Sequence, residues 1–437
     1  MKNNRALLKK TVALFLCLLW LVASGGATVA HAQNTQQPTR REQLLNNLKL
    51  LIWVEPKNSE TTIKLRIHSG AAFDPKGREG VAALLADILF PDEQTRLFFT
   101  EELGGSLAVE SNQDFIEITA RGRAENFERM LDTIRLGVLN PPITPENFKK
   151  VQTARLALVA ADNQKTAAVA DAIVRRRLYG EYFPYARPNA GTPESLAKID
   201  RFDLIQARDR LLTADNATLA IIGNVDPKFA VRAVKQFFGN WSKADKPVPS
   251  TFRQPEVVDK TVVIVRQPTI SNTEIRFAVR GTARNSVDYA AATIAAAILQ
   301  ERWQKLLPPE LRTAAFVRHE THVLPGALIF GASTIGTYNE SNLTTAQTVL
   351  NKILSDAVTN DELSRAKNQI AVFNAEPANS NFAEKWFDAD TFKLPASYNL
   401  SDAVAAVSVT EAQNAISHWQ KQTPAVIALA PTESKKP

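Results

Sequence analysis

The chain has a single cysteine, Cys17, among 437 residues. It lies inside an N-terminal apolar run, so a mature chain lacking that run has no thiol. Disulfides, cysteine-ligated zinc and a cysteine nucleophile are thereby excluded. Histidine is also scarce, at five residues, and His31 falls in the leader, leaving His68, His319, His322 and His418. No apolar run reaches the ~20 residues of a membrane span. Glycine-rich phosphate loops, a GxGxxG pattern and a GxSxG nucleophile elbow are missing too. Excess charge is modest: the formal +7 falls to +3 when Lys2, Arg5, Lys9 and Lys10 leave with the leader, with 48 basic residues facing 45 acidic ones. Nucleic acid is therefore not the expected partner.

What is present begins with a secretory signal. MKNNRALLKK is followed by an apolar run from Val12 to Ala23 and by Ala30-His31-Ala32, so residues 1–32 read as a removed signal peptide and the protein as secreted and periplasmic. Phe15 and Leu16 are too bulky for a lipidation signal before Cys17. The polar stretch 33–44 and the tail 432–437 read as disordered.

The rest contains a duplication. Thr61 to Leu89 alternates Ile63, Leu65 and Ile67, turns, and enters an apolar helical run; Thr273 to Leu299 repeats this with Ile275, Phe277 and Val279 about 210 positions later. At nearly the same offset, Leu196 to Leu204 parallels Val404 to Ala412, each leading to a helix and then a strand, ATLAIIG and PAVIALA. The predicted fold is α+β, a tandem of two similar domains, each a mainly antiparallel sheet covered by helices. The first domain spans 45–240 and the second 258–431, joined by a proline-rich linker at 241–257. GTPESL and GNVDP read as helix entries, with Thr192 and Asp226 as caps and Pro193 and Pro227 at first helical positions.

Several of these stretches together resemble the pitrilysin/insulinase family of zinc metallopeptidases in its two-domain form, which includes mitochondrial processing peptidase subunits. They are GREGVAALLADIL, Leu103-Gly-Gly-Ser-Leu107, FPYARPNAGTPESL, NATLAIIGNVDPKFAVRAVKQFFGNW, RNSVDYAAATIAAAIL and VTNDELSRAKNQI. The resemblance implies a half-clam-shell architecture and a zinc site built on HxxEH. Matched residue by residue, the two histidines fall at Ala83 and Asp87 and the glutamate at Ala86. Histidines at i and i+4 share a helix face and can hold one zinc; two alanines and an aspartate cannot. The family's third ligand is a glutamate on a later helix, here around KKVQTARLALVAADNQ, yet no glutamate lies between Glu146 and Glu181 and the nearest carboxylate is Asp162. No metal ligand set and no catalytic residue is therefore assigned. The helix reads instead as a core element, with Val81, Leu84, Leu85, Ile88 and Leu89 as its stripe and Asp87 facing solvent or a hydrogen-bonding partner.

In family members that work as pairs, the motif-lacking subunit supplies an arginine and a tyrosine to substrate. The matching LPPELRTAAFVRHE puts Phe316 at the tyrosine position and Pro309 near the arginine, leaving Arg312 or Arg318 as the basic group. Arg312 and Phe316 are the candidate substrate-binding residues. RHETH (Arg318 to His322) is one residue short of HExxH and lies in sheet, where Glu320 and His322 would share one face and His319 the other. His68 reads as a capping or turn residue beside Ser69.

These readings predict a non-catalytic homologue that forms a peptide-binding chamber with an active HxxEH-bearing metallopeptidase homologue. The rivals are a zinc endopeptidase using Asp87, Asp162 and a histidine from elsewhere, and a stand-alone peptide-binding or scaffolding protein.

Overall fold

Alternation along the strands sorts side chains between two faces, and both sheets of this chain cover one face with their own helices. The computed structural model describes residues 39–246, 248, 255, 258–268, 270–373, 382–395 and 398–432, and from Arg40 onward the chain forms one contact-rich unit. The expected leader and the tail beyond Thr432 lie outside the described residues.

In the first half, strands β1 (Thr39–Gln43), β2 (Lys49–Val54), β3 (Glu60–Ile67), β4 (Ser106–Ser111), β5 (Ile116–Arg123) and β6 (Ala217–Gly223) form a sheet of order β1-β2-β6-β3-β5-β4. Its helices are α1 (Val81–Ile88), α2 (Glu93–Leu97), α3 (Phe127–Leu139), α4 (Pro145–Asp162), α5 (Thr166–Tyr179), α6 (Pro193–Lys198), α7 (Arg201–Leu211) and α8 (Pro227–Phe238). In the second half, β7 (Val262–Gln267), β8 (Asn272–Arg280), β9 (Phe316–His319), β10 (Ala327–Ile335) and β11 (Ala425–Pro431) are ordered β7-β11-β8-β10-β9. The helices there are α9 (Tyr289–Leu306), α10 (Pro309–Arg312), α11 (Glu340–Ser355), α12 (Asn360–Phe373), α13 (Phe382–Phe392), α14 (Leu400–Ala406) and α15 (Val409–Gln420).

The duplication read from sequence is also a duplication of ladder pattern. β2 pairs parallel with β6 and β7 parallel with β11, while β6–β3–β5–β4 and β11–β8–β10–β9 are antiparallel throughout. Ile63, Leu65 and Ile67 of β3 join the first core with residues of α1, α3, α7 and α8. Ile275, Phe277 and Val279 of β8 join the second with α9, α11 and α15. Thr192 and Asp226 cap α6 and α8 as the sequence predicts, each followed by proline in the first turn.

Two boundaries differ from the sequence reading. Thr39–Gln43, assigned to the disordered 33–44 stretch, forms edge strand β1, and buried Leu44 and Leu48 anchor the turn that follows. Trp241, assigned to the linker, belongs to the first core: it is buried against Phe238 and its Nε1 donates to Leu212 O at 2.9 Å.

Each half also lends one helix to the other's open sheet face. Ala170, Val174 and Leu178 of α5 pack on Ala278, Ile329, Ile427 and Leu429 of the second sheet. Reciprocally, Ala383 and Phe387 of α13 pack on Leu51 and Ala220 of the first.

Candidate functional site

Helix α1 enters through Gly80, whose φ of +102° no L side chain adopts readily. Its first amides are taken by Asp74, which accepts from Gly80 N at 2.8 Å and Ala82 N at 2.9 Å. Burial pushes the Asp74 carboxyl up to about 7, against the lowering effect of those two amides and of Arg187 and Arg210. The helix then packs against β4, α4 and α7, and every residue except Asp87 is buried. Ala83 and Ala86 are only 1% and 3% exposed, so the two positions that carry a histidine and a glutamate in HxxEH are closed over by neighbouring structure. The apolar stripe named from sequence is the buried face.

Asp87 is the exception, and it does not face open solvent. Arg155 of α4 grips it with two parallel hydrogen bonds, Nε to Oδ2 at 2.8 Å and Nη2 to Oδ1 at 2.5 Å, the planar geometry that guanidinium and carboxylate match best. Burial raises the Asp87 carboxyl above its usual range even with Arg155 beside it. The helix expected to bring a third zinc ligand therefore presents a guanidinium to α1. Asp162, at the far end of the same helix, is exposed and pairs with Lys165 at 2.7 Å. Among the described residues no cluster of three or more His, Cys, Asp or Glu is arranged to hold a metal ion. The residues present do not fit zinc: a cation already fills the place opposite Asp87, and one histidine position and the glutamate position, Ala83 and Ala86, carry only methyl groups.

In the second half the two candidate substrate residues do structural work. Arg312 donates to Leu307 O at 3.0 and 2.7 Å and to Lys305 O at 3.3 Å, satisfying carbonyls at the end of α9. Phe316 opens edge strand β9 and lies over Gly331, where a Cβ would come within 2.2 Å of the ring. Arg276 and Arg318 stack on it at 5.0 and 4.9 Å. Phe316 thus orients two arginines and has no hydroxyl to offer a substrate.

Those arginines belong to a network across the halves. Arg276 is nearly fully buried and pairs with Asp171 of α5 at 2.7 Å and with Glu274 at 2.9 Å. Arg318 binds Asp171 and Glu320, and Arg175 of α5 binds Glu320 at 2.5 and 2.8 Å. Burial works to raise both carboxyls, and the arginines overcome it, holding Asp171 and Glu320 below the usual range. The RHETH stretch, read from sequence as lying in sheet, is strand only as far as His319, and Glu320 to His322 follow outside the strand. Glu320 and His322 meet the first half, whereas His319 turns inward against Tyr289 and Trp419, where burial lowers its pKa to about 4. His322 Nδ1 is 2.6 Å from Asp114, whose carboxylate also accepts from Tyr185 Oη at 3.1 Å and Val323 N at 3.1 Å.

His68 departs from its turn reading. Its ring lies between Thr218 of β6 and Thr391 of α13, each hydroxyl 2.8 Å from a ring nitrogen, and burial with nearby Lys393, Arg66 and Lys49 lowers its pKa well below the ordinary value. It is a bridge between the halves.

Between α5, the 185–191 loop and the Arg318–His322 segment lies a cleft of about 600 Å³. Asn112 and Gln113, immediately after β4, line it, with Arg187 and Asn189 from the loop. Asn189 Nδ2 donates to Ser111 O at 3.4 Å, which ties the loop to the end of β4. In the FPYARPNAGTPESL segment the sequence marks the helix entry at Thr192 and Pro193, but nothing in it marks Tyr185 and Arg187 as sharing a cleft with residues 318–322.

The profile described as Insulinase (Peptidase family M16) matches residues 50–182, and that described as Peptidase M16 inactive domain matches residues 198–370. The beta subunit of the mitochondrial-processing peptidase of Saccharomyces cerevisiae is 22% identical over 365 residues, covering 76% of this chain and 77% of the relative. An uncharacterized zinc protease of Rickettsia bellii is 24% identical over 47% of this chain, which spans about half (50%) of that relative's length. Among solved structures, a peptidase M16 inactive domain from Pseudomonas fluorescens superposes with a TM-score of 0.81 at 20% identity, covering 92% of this chain and 99% of that one. The first half of the periplasmic protease PqqL from Escherichia coli does so with a TM-score of 0.66 at 12% identity, covering 91% and 92%.

Proposed function

Since the chain belongs to the insulinase family, peptidase family M16, we propose that it is a non-catalytic member, a secreted periplasmic subunit that completes a peptide-binding chamber with an active homologue bearing HxxEH. The observation that carries this reading is the Asp87–Arg155 pair on a helix whose other two motif positions are buried alanines. A zinc peptidase needs three protein ligands, an open coordination position and a base; this helix supplies a carboxylate already held by a cation.

Peptide handling is supported by β4. It is the last strand of the first sheet, packs beside α1, and among the described residues has one edge with no strand partner, whose main-chain groups can pair with an extended chain. Closure by a second subunit is supported by the half-shell form that the family resemblance implies, and one relative is by its name a subunit, the beta subunit of a mitochondrial-processing peptidase.

The test uses the mature protein purified alone. Its zinc content is measured by plasma mass spectrometry and its cleavage of an unstructured peptide followed with and without EDTA, then with an HxxEH-bearing homologue from the same organism. Less than about a tenth of an equivalent of zinc, with cleavage only when the homologue is added, is the expected result. Stoichiometric zinc with EDTA-sensitive cleavage by the lone chain sinks the proposal in favour of an enzyme with other ligands, and no cleavage in either mixture replaces it with a stand-alone binding protein.

A further inference from the structure

We propose that the outer side of α8 and the β1–β2 turn beside it form a docking surface for an anionic lipid bilayer; this rests on the reading of the chain as secreted, and not on its handling of peptides. Along α8, Ala230, Val231, Ala233, Val234 and Phe238 are buried in the first core. The opposite side carries Lys228, Arg232 and Lys235, spaced i, i+4 and i+7 and therefore on one face. All three are exposed, and none has an ion partner among the described residues. Exposed cations on other helices are matched, as Lys150 is with Asp92 and Lys352 with Asp356.

The surroundings keep the positive sign. Arg41 of β1 is likewise exposed and unpaired. Asp226 is engaged as the cap of α8, accepting from Phe229 N at 2.7 Å. On α3, which packs beside α8, Asp132 pairs with Arg135 at 2.7 Å, and Glu128 is the one carboxylate without an ion partner among the described residues. Four unpaired cations thus stand against one unpaired carboxylate.

This surface also has an apolar point. Asn46 Nδ2 donates to Phe238 O at 2.8 Å and to Trp241 O at 3.0 Å, which fixes the β1–β2 turn to the C-terminal end of α8. Leu44 and Leu48 of that turn are buried, and Leu45 between them is fully exposed. An anionic bilayer interface complements both features: its head groups attract the cations, and its acyl boundary takes a protruding alkyl side chain without a shaped pocket. The expected leader joins the same edge. Only residues 24–38 separate its apolar run from β1, a reach of at most about 50 Å.

The experiment sediments the mature protein with vesicles of phosphatidylcholine containing about one third phosphatidylglycerol, and with vesicles of phosphatidylcholine alone. Binding is expected to the anionic vesicles only, and to vanish near 1 M salt, where the screening length is about 3 Å. Each cation near an anionic surface contributes about fivefold. Lys228→Gln, Arg232→Gln and Lys235→Gln together are therefore expected to weaken binding by about thirtyfold or more. The same charge change at Lys260, Lys305 and Lys421, exposed on the second half, is expected to leave it within about threefold, which separates this surface from net charge. Because Cys17 leaves with the leader, Leu45→Cys can carry an environment-sensitive dye as the sole label, and its emission is expected to shift to shorter wavelength on the anionic vesicles. Circular dichroism melting confirms that each variant is folded. Equal binding to both vesicle types, no binding, equal losses in the two triple variants or an unshifted dye overturns the proposal. So does a finding that the α8 cations serve instead to hold the HxxEH-bearing homologue, which assigns the surface to an acidic protein. Cell fractionation that leaves the native protein in the cytoplasm removes the reading as secreted, and the vesicle result still judges the surface.

Discussion

A single guanidinium decides what α1 can be. Arg155 occupies the space opposite Asp87, so restoring the motif means changing four residues. Ala83→His, Ala86→Glu and Asp87→His together with Arg155→Glu are expected to give about one bound zinc per chain, whereas the triple change that keeps Arg155 is expected to bind at least tenfold more weakly. Metal titration with a chromophoric chelator reads the difference. Because Ala83 and Ala86 are buried, the larger side chains also overpack α1, at about 1–3 kcal/mol, seen as a lower melting temperature before metal is added. At the same scale, Asp74 makes the start of α1 sensitive to pH. Its folded pKa of about 7 lies above the ordinary value of 3.8. The folded state therefore binds a proton that the unfolded chain releases, and this contribution is complete below about pH 4 and lost as pH rises through 7. At 1.36 kcal/mol per unit its upper bound is about 4 kcal/mol. His319, depressed to about 4, works in the opposite sense, its contribution being lost as pH falls below 6.5. Asp74→Asn is expected to remove the contribution that lowers stability as pH rises from about 4 to 7 while keeping the acid-side loss; a wild-type pH dependence in the variant would refute the assignment.

At the scale of elements, the two exchanged helices are anchored differently. α5 reaches the second sheet through an apolar cluster of Ala170, Val174, Leu178 and Tyr179, reinforced by the Asp171 and Arg175 ion pairs. α13 reaches the first sheet through a much smaller cluster around Phe387, and its charged side supplies most of the remaining contacts. Glu384 binds Lys64 and Arg66, Asp388 binds Arg66 and Arg284 at 2.9 and 3.1 Å, and Asp390 binds Lys49 and Thr218. Truncating the charged partners leaves Arg66, which is almost fully buried, without compensation except from Glu117. Glu384→Ala with Asp388→Ala is therefore expected to raise amide exchange across 382–392 at least tenfold while exchange across 166–179 stays near wild type. Parallel increases in both helices would show that the halves open together.

At the scale of the whole molecule, the exchange of α5 and α13 makes two duplicated halves into one unit. His68 bridging Thr218 and Thr391, and His322 on Asp114, are polar ties of the same kind at other points of that contact. The cleft beside Arg187 exists only because the halves meet, and so does the network that fixes Arg175 and Arg318 along its wall.

The sequence by itself determined the two strand-to-helix units at β3–α1 and β8–α9, the strands β6 and β11, the entries of α6 and α8 and the absence of the zinc motif, because these depend on period-two and period-three-to-four burial, on caps such as Thr192 and Asp226, and on residue identity at Ala83, Ala86 and Asp87. The duplication was legible for the same reason: both copies bury one face of a sheet beneath their own helices. Tertiary structure alone decided which partner Asp87 has, that Arg312 closes the end of α9, that Thr39–Gln43 pairs as an edge strand, and that Gln113, Arg187 and Glu320 line one cleft. The Asp87–Arg155 pair and the cleft join residues far apart in the chain, by up to about 200 positions between Gln113 and Glu320, whereas Arg312 reaches back only to Leu307 and Lys305. No local pattern encodes such a pairing, because a charged or amide side chain looks equally soluble in sequence whether it meets water or a partner from the other half.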